Sequence, residues 1–258
     1  MITAASNSRI KRLVQLNQKS KLRRTEDVFL AEGVKMFLEA PREQLQEVYV
    51  SESFLEKCSC REHLEEVGYE VVSDSVFSKI SDTCTPQGVL CVLKQFHYNI
   101  EEMLRDKAPL FLLLENIQDP GNLGTMLRTG EGAGVSGIIM SRDTVDLYNP
   151  KVIRSTMGSI YRVPFYYADD FAAAVHQVQQ AGVSVYAAHW RGKNSYACQD
   201  YTNGTAFLIG NEGNGLREET AELADCYIRI PMEGKVESLN AAVASSILMY
   251  EAHRQRAI

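Results

Sequence analysis

The 258-residue chain has no run of 18 continuous apolar residues, and residues 1–16 hold no apolar run of signal-peptide length. Neither membrane insertion nor secretion is indicated, and the expected compartment is the cytoplasm. Six cysteines are present (Cys58, Cys60, Cys84, Cys91, Cys198, Cys226), but no C-x-x-C pair. No zinc or other metal site is therefore expected, and the thiols should be reduced and mostly buried. Acidic residues are absent from residues 1–24, which carry Arg9, Lys11, Arg12, Lys19, Lys21, Arg23 and Arg24. The rest has 20 basic and 33 acidic residues, so a segment of +7 precedes a body of −13 within a net charge of −6. Such asymmetry points to a polyanion partner for that segment. The same residues also suit a solvated amphipathic helix with Leu13 and Leu16 turned inward.

Hydrophobic content of 45% is enough for one large domain or two small ones. Alternating signals predict strands over residues 29–31, 46–50, 69–72 and 88–93, with helices over 33–40, 62–67 and 75–81. That forms a first domain over residues 1–95. Residues 96–108 read as a polar linker helix with a capping box at Asn99 and Glu102. In residues 109–258 the apolar run 110–114 is of the kind that lies in a parallel sheet covered on both faces. Further strands are expected over 137–140, 163–166, 183–188, 206–209 and 227–230, with helices over 125–131 and 170–181. The fold class is α/β, with a mostly parallel sheet of about six strands whose C-terminal ends would bind the ligand.

Three stretches follow such strands. In the first, Asp119-Pro120-Gly121 signals a turn, Asn122 is placed to cap a helix, and Arg128 lies about 120° around that helix from Asn122. In the second, Gly210-Asn211-Glu212-Gly213-Asn214-Gly215 brings backbone N–H groups close to a ligand, with Glu212 as an acceptor. In the third, Ile230-Pro231-Met232-Glu233-Gly234 ends a strand, Gly234 allowing backbone angles closed to other residues, and Ser238 stands as N-cap of a helix over 239–256. Its Ala241, Ala242, Ala244, Ser245 and Ser246 admit a close neighbour. The glycines at 130, 132 and 134 imitate a dinucleotide fingerprint, but they follow a helix and precede a strand, so they read as a helix end and close packing.

In order and spacing, N-x-G-x-x-x-R, G-N-E-G-x-G and I-P-M-x-G-x-x-x-S-L-N resemble the SpoU branch of the SPOUT superfamily, RNA 2′-O-ribose methyltransferases. Ser6-x-x-Arg9-Ile10-Lys11, Phe29-x-x-Glu32-Gly33 and Thr85-Pro86-Gln87-Gly88-Val89 resemble the ribosomal-protein-like substrate-binding domain that precedes many of them. The resemblance implies a trefoil-knotted catalytic domain, S-adenosylmethionine as cofactor, a homodimer, and an RNA substrate, ribosomal 23S RNA ahead of transfer RNA. It implies a catalytic set of Asn122, Arg128, Glu212, Ser238 and Asn240. Cofactor contacts would come from Ala188, Leu208, Ile209, Gly210, Asn211, Gly213, Ile230, Met232, Ser238 and Leu239; the charge asymmetry, independently, assigns RNA contacts to the seven cations of residues 1–24. Two rival readings stand beside it. A catalytically silent RNA-binding assembly factor fits poorly with an intact catalytic set, and an enzyme of small nucleotides fits poorly with a two-domain layout that begins in a basic segment.

Overall fold

The computed structural model describes residues 1–236 and 238–257. The chain folds as two compact units, Met1–Phe96 with Asp146–Tyr161, and His97–Val145 with Arg162–Ile258. The return of residues 146–161 to the first unit is invisible to a reading that divides the chain into contiguous blocks.

The first unit contains α1 (Ser8–Gln18), α2 (Ser20–Glu26), β1 (Val28–Glu32), α3 (Val34–Leu38), β2 (Leu45–Ser51), α4 (Glu52–Lys57), α5 (Arg61–Val67), β3 (Glu70–Val72), α6 (Asp74–Ile80) and β4 (Val89–Lys94). Its sheet runs β1-β4-β2-β3, antiparallel except for the β2–β3 pair. Ile10, Leu13 and Leu16 of α1 and Val76, Phe77 and Ile80 of α6 pack with Leu30, Tyr49, Leu90 and Val92 in one hydrophobic cluster. The basic segment is thus part of a core, as its apolar spacing predicts. Later in the chain α9 (Pro150–Thr156) rejoins this unit, and Asp146 pairs with Arg23 at 2.6 Å.

The second unit contains α7 (Ile100–Met103), β5 (Leu110–Leu114), α8 (Pro120–Ala133), β6 (Gly137–Ser141), β7 (Phe165–Ala168), α10 (Phe171–Gln180), β8 (Ser184–Ala188), β9 (Asn194–Ser195), β10 (Thr205–Ile209), α11 (Glu218–Ala221), β11 (Cys226–Arg229) and α12 (Ala241–Arg256). The sheet runs β7-β6-β5-β10-β8-β11-β9, every pairing parallel. Its seventh strand, β9, is two residues long, too short to leave a periodic signal in the sequence. The expected linker helix shrinks to the four residues of α7, and Ile100 and Met103 are buried in the second unit's core with Phe111, Leu113 and Val175. Asn99 caps it by accepting from the N–H of Glu101.

The glycines of α8 behave as helix end and contact surface. Gly134 terminates the helix at φ 76°, and a Cβ on Gly132 would lie 2.9 Å from the Tyr250 hydroxyl of α12. The thiols depart from expectation, since only Cys60 and Cys91 are buried while Cys84 and Cys198 are exposed. The reason is local: Cys91 lies in the central strand β4, whereas Cys84 and Cys198 sit in surface connections.

Candidate active site

Because β5, β10, β8 and β11 are adjacent and parallel, Leu114, Ile209, Ala188 and Arg229 all end at one edge of the sheet. The segments that leave these strands must therefore meet. The first carries Asn116 at φ 53°, a left-handed conformation that asparagine tolerates better than most residues. Its N–H donates to Ser141 Oγ at 2.8 Å, and its carbonyl accepts from Asn211 Nδ2 at 2.8 Å. Adjacent strand-end loops are so tied together through backbone.

The N-cap of α8 is Asp119, with Pro120 in the first turn; Asn122 donates its N–H to Asp119 Oδ1 at 2.8 Å and does not cap. That correction has a chemical consequence. With the aspartate holding the helix end, the carboxamide of Asn122 is released, and its Nδ2 donates to Glu212 Oε1 at 2.9 Å. Glu212 also accepts from the N–H groups of Asp119 at 3.0 Å and Gln118 at 3.1 Å. Burial pushes its carboxyl up, but the Asn122 amide and these two backbone donors outweigh burial and hold it below its ordinary value. Glu212 is an anion whose oxygens are already occupied by donors.

The third segment closes the arrangement. Asn240, rather than Ser238, caps α12, its Oδ1 accepting from the N–H groups of Ala242 at 2.9 Å and Val243 at 3.2 Å. The helix consequently begins at Ala241, two residues later than the sequence suggests. The other end of the same side chain, Nδ2, donates to Asn122 Oδ1 at 2.9 Å. Asn240, Asn122 and Glu212 thus form one directed chain of hydrogen bonds on the wall of a cavity of about 680 Å³, which Ser238, Leu239, Asn211 and Gly213 also line.

A model of the SpoU rRNA Methylase family matches residues 109–250, more than half of the chain. The chain belongs to that family. An MRM3-like substrate binding domain matches residues 7–91. The 23S rRNA (guanosine(2553)-2′-O)-methyltransferase RlmP of Bacillus subtilis is 32% identical over 252 residues, covering 96% of this chain and 97% of that protein. An AdoMet-bound rRNA methyltransferase from Sinorhizobium meliloti superposes with TM-score 0.84 at 30% identity, over 98% of this chain and 97% of that one. The SpoU methyltransferase AviRb from Streptomyces viridochromogenes in complex with AdoMet gives TM-score 0.88 at 26% identity, over 97% of this chain and 98% of that one.

Seen as a SpoU site, the remaining expected residues fall into groups. Ala188, Ile230 and Met232 are half-buried at or just beyond strand ends, whereas Leu208 and Ile209 are buried within β10. Gly210 has a duty within the loop itself. A Cβ there would lie 2.2 Å from the carbonyl carbon of Gly215 and from the N of Leu216, so its bareness lets the loop close on itself through the mutual Asn211–Gly215 backbone bonds. Gly234 does not occupy the left-handed region, and a Cβ there would meet nothing within 4 Å. Arg128 is exposed on α8, outside the residues that line the cavity.

Three roles escaped the sequence reading: Asp119 as cap, Asn211 as a clamp whose Oδ1 accepts from the N–H groups of Gly213 and Asn214, and buried Glu115, which accepts from Arg217 N and Thr220 Oγ1. The signal available was the run of Asn and Asp beside glycine, side chains that bond to nearby backbone.

The seven cations of residues 1–24 also divide. Arg9 pairs with Glu70, and Arg12 with Glu26 and Glu47. Arg23 is 3% exposed and donates to the carbonyls of Leu16 and Asn17 as well as to Asp146. Lys11, Lys19, Lys21 and Arg24 are exposed and have no ion pair among the described residues.

Proposed function

We propose that this protein is an S-adenosylmethionine-dependent RNA methyltransferase that methylates a ribose 2′-hydroxyl, with 23S ribosomal RNA as its substrate. The observation that carries the reading is the assembled Asn240–Asn122–Glu212 chain at the C-terminal edge of a parallel sheet. The names of the relatives and the AdoMet bound to two structural neighbours support it. An assembled set also speaks against a catalytically silent RNA-binding factor.

The cofactor fits the edge on structural grounds. Among the described residues from Pro231 to Leu239, no backbone group is hydrogen-bonded to the rest of the protein, so this segment offers donors and acceptors beside the Glu212 carboxylate. Ala188, Gly210, Ile230, Met232 and Leu239 are the residues we assign to hold it. When bound, it supplies a methyl group already activated on a sulfonium. The remaining work is to orient the ribose and manage its proton. Asn122 and Ser238 face the cavity with groups able to hold a hydroxyl, while Glu212 fixes Asn122. Arg128 does not act as base, because a guanidinium keeps its proton; it holds the adjacent phosphate and stabilises negative charge developing on the ribose oxygen.

We assign residues 1–95 to substrate binding, 96–108 to the connection and 109–258 to the reaction, the last with a trefoil knot. Two copies are taken to pair in the cytoplasm through α12, where Val243 is 48% and Tyr250 49% exposed. Pairing would bring Arg128 of one copy to the cavity of the other. Light scattering should give about twice 28.9 kDa. The decisive experiment maps ribose methylation in 23S RNA from cells with and without the protein; identical maps would overturn the assignment.

A further inference from the structure

Two motifs of the first unit, Phe29-x-x-Glu32-Gly33 and Thr85-Pro86-Gln87-Gly88, take no part in the site above, yet they form one built device. Glu32 Oε1 accepts from the N–H of Gln87 at 3.1 Å and from Thr83 Oγ1 at 3.3 Å, and its Oε2 accepts from Ser81 Oγ at 2.7 Å. Gln87 Oε1 accepts from the N–H of Val34 at 3.3 Å. Both glycines are needed here. Gly33 has φ 117° and its Cβ would lie 2.8 Å from Gln87 Oε1, while Gly88 has φ 83° and its Cβ would lie 2.4 Å from Phe54 Cβ. The outcome is a glutamine tethered at its backbone and its amide oxygen. Its Nε2 has no partner among the described residues.

That amide borders a cavity of about 400 Å³ whose lining includes Ser51, Ser53, Phe54, Lys57, Pro86 and Gln87 and no carboxylate. Ser53 Oγ donates to Asp74, so it faces the cavity as an acceptor. An aromatic ring, a proline ring, an oriented amide donor and one exposed lysine match the parts of a nucleotide: an apolar base face, a hydrogen-bonding base edge and a phosphate. We propose that this cavity takes a single unpaired nucleotide of the RNA substrate, with Gln87 Nε2 donating to an acceptor on the base edge, Phe54 and Pro86 against the base, and Lys57 on the phosphate. The inference rests on the RNA methyltransferase reading and adds a recognition subsite in the first unit.

The test is filter binding of the full chain to an in vitro transcript of 23S RNA over a range of salt, without cofactor. Gln87→Leu should raise Kd by about fivefold or more with an unchanged salt slope, the signature of a lost base-edge bond. Lys57→Ala, at an exposed position that does not threaten folding, should flatten the log–log salt slope by about 0.7 to 0.9. Unchanged affinity in the first variant, or an unchanged slope in the second, overturns the subsite. Because no cofactor is present, a failure of methyl transfer overturns the proposed reaction alone, and the two variants still decide the subsite. An unaltered protein that fails to bind the transcript overturns both.

Discussion

Asn240 donates to Asn122 across 118 residues of sequence, and with its other amide atom it caps the helix that follows it. One side chain therefore serves both a fold and a site, and the two duties can be separated. Aspartate at position 240 keeps the oxygen that accepts from Ala242 and Val243 but loses the donor to Asn122. Asn240→Asp should leave the melting temperature near that of the unaltered protein while methyl transfer falls by about 10- to 100-fold, the cost of a misplaced group. Asn240→Ala should lose about 1 kcal/mol of stability as well. Equal losses of stability in both variants would show that the shared loss of the bond to Asn122, and not the cap, governs stability.

The Glu212 carboxylate predicts a pH dependence. Its pKa is depressed on folding, so the stabilisation it brings is fully present above the ordinary value of 4.5 and is lost as pH falls through the lower folded value. Glu212→Gln should cost about 1 kcal/mol, because an amide replaces one acceptor facing the N–H groups of Asp119 and Gln118. Melting curves of the two proteins should differ by a constant amount from pH 8 down to about pH 5 and converge below pH 4.5. A gap that closes already near pH 6 would contradict the depressed pKa.

Most of the sheet was legible because each long strand carries a continuous apolar run, and a strand covered on both faces has little choice of composition. Asn122, Glu212 and Asn240, singled out in the sequence, do come together, but which residues cap the helices was not legible. Asp119, Asn122, Ser238 and Asn240 are all residues that cap helices well, and local preference could not decide among them. The decision came from partners 90 and 118 residues away, since Asn122 was drawn off by Glu212 and Asn240 was placed to reach both Asn122 and the first turn of α12. Residues 146–161 could not be assigned to the first unit from sequence either, because their ties there, such as Asp146 to buried Arg23, Tyr148 against Phe29 and Arg154 to Asp82, join residues far apart in the chain.

The glycines of the second loop should differ sharply when substituted. Gly210→Ala places a methyl group 2.2 Å from the backbone of Gly215 and Leu216, so the Asn211–Gly215 turn must open and Glu212 must leave Asn122. Calorimetry should find S-adenosylmethionine affinity lost together with some stability. Gly213→Ala meets only Asn211 Oδ1, at an ordinary 3.6 Å, and should retain the stability of the unaltered chain. If the two variants melt alike, the loop does not depend on closing over Gly210.

The basic segment sets the last expectation. Deleting residues 1–24 would remove Ile10, Leu13 and Leu16 from the core of the first unit, so loss of RNA binding after deletion would say nothing about charge. Substitution is the informative route. Replacing exposed Lys11, Lys19, Lys21 and Arg24 together by alanine should leave folding unchanged and weaken RNA binding. At about −0.7 per phosphate on single-stranded RNA, four contacts account for a slope of about −3 in log affinity against log salt, and that much should vanish. Arg23→Ala should do the opposite. It leaves Asp146 without its partner and the carbonyls of Leu16 and Asn17 without a donor, at a cost of about 3 kcal/mol in stability, while the salt slope of any folded fraction stays the same. A fourfold variant with an undiminished slope would show these cations to be solvated surface charge, with the polyanion bound elsewhere.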